Sequence, residues 1–67
     1  MDDFADICRL ATEHHIAGRL AEAVEAYRQA IVLQPTVAVL HNNLGTALGR
    51  LGRTDEAAAA FREAIRL

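Results

Sequence analysis

Apolar positions recur at three- and four-residue steps along the whole chain. That spacing puts side chains on one face of a helix, so the pattern predicts an all-α chain. Phe4, Ile7, Leu10, Ala11 and His14 make a first stripe, and Ala23, Ala26, Tyr27, Ala30 and Ile31 a second. Leu40, Leu44, Ala47, Leu48 and Leu51 make a third. Ala57, Ala60, Phe61, Ala64 and Ile65 make a fourth, predicted like the others to face inward. Gly18-Arg19, Pro35 and Gly52-Arg53 separate the stripes. The predicted helices cover residues 3–17, 20–34 and 37–51, with a fourth beginning after Gly52 and running to the end. Gln34 ends the second because the Pro35 ring disfavours helical geometry in the residue before it. Asp2 or Asp3 is the expected N-cap of the first helix and Thr54 of the fourth, with Asp55 and Glu56 in its first turn.

Shifted by 34 residues, the chain lies on itself. Leu10 falls on Leu44, Gly18 on Gly52, Arg19 on Arg53 and Glu22 on Glu56. Ala23 falls on Ala57, Arg28 on Arg62, Ala30 on Ala64, and Tyr27 on the aromatic Phe61. A helix–turn–helix unit with that period marks a repeat architecture. Gly45 costs roughly 1 kcal/mol against Ala inside a helix, so its presence predicts a close neighbour.

These residues resemble the tetratricopeptide repeat. The first copy carries Ile7, Leu10-Ala11, His14, Gly18, Ala23, Tyr27, Ala30 and Pro35. The second carries His41, Leu44-Gly45, Leu48, Gly52, Ala57, Phe61 and Ala64. Ile7 and His41 stand where the family has Trp, and His14 and Leu48 where it has Tyr. The resemblance implies one domain over residues 1–67, with a first repeat at about 4–37 and an incomplete second at about 38–67. It also implies two helical hairpins stacked as a segment of a right-handed superhelix. Ala11 and Gly45 would meet Ala23 and Ala57 inside each hairpin, and Tyr27 and Phe61 would wedge between one hairpin and the next.

Composition narrows the function. A 67-residue chain buries about 60% of its unfolded surface, too little core to support a deep, dry catalytic pocket. The net charge of -2 and pI near 5.8 offer no basic stripe for nucleic acid. No apolar run is long enough to span a membrane, and Met1-Asp2-Asp3 does not open a secretory signal. The lone Cys8 closes no internal disulfide, which points to a reducing, cytoplasmic setting. No cofactor is expected. His14 and His15 diverge by about 100° on a helix, and Cys8 lies about 10 Å along the axis from His15, so no metal site is expected either.

The family's groove is lined by the first helix of each hairpin. By that match, Ala5, Cys8, Arg9, Thr12, His15 and Ile16 face it from the first copy. Val39, Asn42, Asn43, Thr46, Gly49 and Arg50 face it from the second. Adjacent Asn42 and Asn43 are poor helix formers, and their amides could bond a peptide backbone. Asn43 falls where the O-linked N-acetylglucosamine transferases carry a ladder of groove asparagines. Arg9 and Arg50 could hold a carboxylate. The carboxylate clamp of chaperone-binding members is not expected, because Cys8 and Thr12 stand where Lys and Asn are needed. The expected function is non-enzymatic: a protein-interaction module for a peptide or helix, forming the N-terminal part of a longer repeat protein. The alternatives are a substrate-recruiting segment of a glycosyl- or sulfotransferase and an oligomerisation scaffold. Phe61, Ile65 and Leu67 are expected to be partly bare, which raises self-association through the last helix.

Overall fold

The computed structural model describes residues 3–67. Four helices follow one another: α1 (Phe4–Ile16), α2 (Leu20–Leu33), α3 (Ala38–Arg50) and α4 (Thr54–Arg66). The chain is all-α, as the spacing predicts. α1 and α2 form a first hairpin, α3 and α4 a second, and α2 packs on α3 to stack the two.

The Asp3 carboxylate caps α1, accepting from the Asp6 N–H at 2.9 Å. The alternative cap Asp2 lies outside the described residues. At α4 the expected cap is corrected. Thr54 is already helical, and Arg53 holds the cap position without a side-chain cap bond. The preceding turn decides this. Gly52 adopts φ +82, the Arg53 N–H returns to the Leu48 carbonyl at 2.9 Å, and the Gly52 N–H returns to Gly49 at 3.0 Å. Gly18, at φ +80, repeats the arrangement with Arg19 bonded to His14 and Gly18 to His15. Both are Schellman endings, which need a left-handed residue after the helix and therefore favour Gly.

Burial follows stacking order. α2 lies between α1 and α3, and α3 lies between α2 and α4. A helix covered on two sides buries a wider arc than one stripe. Thus α2 buries Ala23, Val24, Tyr27 and Ala30, and α3 buries Leu40, Leu44, Gly45, Ala47 and Leu48. The outer helices bury only Ile7 and Ala11, or Ala57 and Ala60. Val24 is the core residue that a single-stripe reading misses. Leu10, His14 and Ala64 are only half-buried, and Ile65 is 84% exposed rather than inward-facing. Nothing among the described residues covers that side of α4.

The close neighbour predicted for Gly45 is Phe61. A Cβ at residue 45 would stand 2.8 Å from the ring edge. Phe61 therefore lies on the first helix of its own hairpin, and its outer side is open, at 36% exposure. Its counterpart Tyr27 is 2% exposed, at the level where the two hairpins stack. A double-mutant cycle should show the contact. In a Phe61→Ala background, Gly45→Ala should stabilise by about 1 kcal/mol through helix propensity. With the ring present the same change should lose most or all of that gain in urea titrations. Equal effects in both backgrounds would mean the ring swings aside freely.

Candidate interaction surfaces

The groove-facing residues divide by what already holds them. Arg9 is tied along α1 to Glu13 at 2.9 Å and to Asp6 at 3.8 Å. The Thr12 hydroxyl donates to the Cys8 carbonyl at 3.1 Å, and Thr46 donates likewise to the Asn42 carbonyl. His15 meets α2: its Nδ1 lies 2.9 Å from the Tyr27 hydroxyl, with the rings edge to face. Burial pushes the Tyr27 phenol above its ordinary value, while the Thr12 hydroxyl pulls it back. Burial also raises the Cys8 thiol, which is free and half-buried. His14 is no core residue: its Nδ1 accepts from the Arg19 Nε at 2.9 Å near the surface. His41 is half-buried beside the α2–α3 turn, with its Nε2 2.9 Å from the Pro35 carbonyl.

The second hairpin holds the less committed set. Asn42, Thr46, Gly49 and Arg50 are exposed, and Asn43 is half-buried. Asn42 borders an open hollow of about 550 Å³ walled by Ala38, Val39, Phe61, Ala64 and Ile65. Asn43, Thr46 and Arg50 are not part of its wall. The structure thus puts Asn42, rather than Asn43, beside apolar surface. Val39 is 58% exposed there. Ala38, the first residue of α3, is the wall residue that neither the stripes nor the groove match singles out.

A second feature escapes the stripe pattern, though both partners recur in the repeat. Arg28 of α2 reaches Glu56 of α4 at 3.1 Å and joins the hairpins on their outer side. Arg53 bonds the same carboxylate at 2.6 and 2.9 Å. Arg53, then Arg28, hold the Glu56 carboxyl below the ordinary 4.5, and Arg66 does the same for Glu63. A lowered folded-state value means the unfolded chain binds protons more readily, so stability should fall as pH drops through and below that range. Melting temperatures across acid pH should show this, with a shallower slope for Glu56→Gln. An identical slope would remove Glu56 from the account.

Among the described residues no cluster of His, Cys, Asp and Glu is placed to hold a metal ion, and no helix is long and apolar enough to cross a membrane. Two stacked helix–turn–helix units related by a 34-residue period define a helical-repeat protein. A TPR repeat profile matches residues 12–52, and a tetratricopeptide repeat profile matches residues 38–67. The chain belongs to the tetratricopeptide repeat family. It is 39% identical over 57 residues to protein arginine N-methyltransferase 9 of Mus musculus, which covers 85% of this chain and 7% of that protein. Against the protein of the same name from Homo sapiens it is 37% identical over 59 residues, 88% of this chain and again 7% of the relative. The chain therefore spans about 7% of the length of these curated relatives. Only tetratricopeptide repeats are identified within it.

Proposed function

We propose that the chain is a non-enzymatic interaction module that takes an extended peptide or a helix along the exposed faces of α1 and α3. Family membership supports the class. The observation that carries the site is Asn42, an exposed amide at the rim of an apolar hollow with Val39 and Ile65. An amide can bond a peptide backbone while the hollow takes an apolar side chain, a pairing common at binding sites. Asn43 and Arg50 would extend contact along α3. Arg9, Thr12 and His15 contribute less, because each already has a partner on the protein.

Peptides selected from a random displayed library on the intact chain test this. Asn42→Ala and Val39→Asp should each weaken a selected peptide at least about tenfold, about 1.4 kcal/mol, with helicity unchanged. Unaltered binding in both would sink the assignment.

The two relatives favour a second reading, the recruiting segment of a multidomain transferase. Their names point to protein methyl transfer, and no comparison supports the glycosyl or sulfo type. A transferase domain encoded in the same open reading frame would support it. Self-association is the competing use of the open side of α4, and would appear as mass rising with concentration. A cytoplasmic setting fits the single free thiol.

A further inference from the structure

α2 and α4 flank α3, and they meet chiefly through the Arg28–Glu56 bridge. Between them lies a hollow of about 310 Å³ that shares no residue with the hollow beside Asn42. It is enclosed by the packing of α2, α3 and α4 on one another. Its floor is apolar: Leu44, Leu48 and Ala60 are 8%, 1% and 7% exposed, and the exposed Ala59 stands at its lip. Both ends are polar. Glu56 and Glu63 are seven residues apart on α4, and so about 10 Å apart along it, with Ala59 and Ala60 between them. Arg28 reaches Glu56 at one end, and His41 stands on the wall with Glu63. The repeat alone does not impose this apolar floor. One copy earlier, the counterparts of Leu48 and Ala59 are His14 and Glu25.

The charged groups are unequally occupied. Besides Arg28, Glu56 accepts two bonds from Arg53, at 2.6 and 2.9 Å. Glu63 accepts from the Arg66 Nε at 3.0 and 3.1 Å, and from its Nη2. Each carboxylate is therefore neutralised by an arginine of its own helix. His41 is turned to the α2–α3 turn, where its Nε2 donates to the Pro35 carbonyl at 2.9 Å. Glu25, one turn before Arg28, is not on the wall and forms no ion pair among the described residues. Arg28 is thus the surplus cation. A guanidinium carries five N–H donors, and among the described residues Arg28 gives one bond, to Glu56. An apolar floor edged by a forked cation fits a carboxylate on a short apolar body.

We propose that this hollow is a second binding site, for a small free carboxylic acid with a branched aliphatic body. The carboxylate takes the remaining N–H groups of Arg28, and the body covers Leu44, Leu48 and Ala60. The volume is at the lower end of ligand clefts, and the polar groups at both ends favour a short molecule over a peptide running through. A ligand there touches α2, α3 and α4 together, so it ties the two hairpins and raises stability with its concentration. The site does not rest on the groove reading.

The test titrates the isotope-labelled chain with isocaproate at neutral pH and follows backbone amide signals by nuclear magnetic resonance. Isocaproamide and isohexylamine, with the same branched body but a neutral or cationic head, are the controls. Isocaproate should shift the signals of Arg28, Leu44, Leu48, Ala59 and Ala60 saturably, and bind at least about tenfold more tightly than either control. Arg28→Gln should remove that preference. Glu56→Gln breaks the same bridge but keeps the cation and frees it, so it should bind isocaproate at least as tightly as the wild type. Ala59→Leu, at an exposed helical position, should fill the hollow and abolish the shifts with helicity unchanged. Asn42→Ala and Val39→Asp should leave them unaltered, so this site and the groove fail separately. Equal affinity for the three probes, equal loss in Arg28→Gln and Glu56→Gln, or shifts confined to Val39, Asn42 and Ile65 would overturn the site. So would no saturable shift with isocaproate. Tighter binding of the blocked dipeptide acetyl-Leu-Glu-amide than of isocaproate would overturn the free-acid assignment and give the hollow to a peptide.

Discussion

Tyr27→Ala should leave the chain largely unfolded at room temperature. Tyr27 is 2% exposed and, with Leu48, one of the two largest fully buried side chains. It sits on α2, which is covered by both α1 and α3, so its removal opens a void at the junction of the two hairpins. Truncating a large buried aromatic to Ala costs about 3–5 kcal/mol. A chain of this size has about 3–10 kcal/mol of stability in total, at about 0.05–0.15 per residue. The loss thus takes most of what is available. Helical circular dichroism should fall by more than half, and the urea transition should lose its native baseline. Tyr27→Phe separates the ring from the hydroxyl. It keeps the packing and removes only the bond to His15 Nδ1, so it should cost about 1 kcal/mol and leave a complete transition. Comparable loss in both variants would mean that the His15 bond within the first hairpin, not the packing of the ring, carries the stability. Phe61→Ala, at the counterpart position, should cost clearly less than Tyr27→Ala, because one side of that ring already faces solvent.

That contrast between equivalent residues also shows how much of the molecule was legible in advance. Features set by local geometry were readable. Gly18 and Gly52 recur because the turn needs a positive φ, and Gly45 stands out because a helix interior rarely keeps a glycine without a neighbour such as Phe61. Features set by position in the stack were not. Leu10 and Leu44 are the same residue in the same slot, yet only Leu44 is buried, because α3 has helices on two sides and α1 on one. Val24 is buried for the same reason, outside any single stripe. At the candidate site the residue types pointed to α3, but two adjacent asparagines differ by only one helical step. Which of them meets the hollow depends on where Phe61 and Ile65 come to lie, and only the packing of α4 decides that. The Arg28–Glu56 pair was present in the repeat as two recurring residues, but their separation across the hairpins is a tertiary fact.

Leu48→Ala should be nearly as damaging as Tyr27→Ala, whereas His14→Ala, one repeat earlier, should be mild. Leu48 is 1% exposed on α3, and its side chain is held between α2 and α4. Leu→Ala in such a setting removes buried methyl groups and leaves a cavity, at about 2–5 kcal/mol. His14 occupies the matching position on a helix with nothing among the described residues on its outer side, and its contact is a surface bond to Arg19. Losing that bond should cost at most about 1 kcal/mol, and the better helix propensity of Ala offsets part of it. Urea titrations of the two variants should therefore differ by at least about 1 kcal/mol, although the family pattern assigns both positions one role. Equal costs would mean that the outer face of α1 is covered in solution, and that the first hairpin has a neighbour of its own. The expected inequality instead follows from the packing itself, one neighbouring helix for α1 against two for α3.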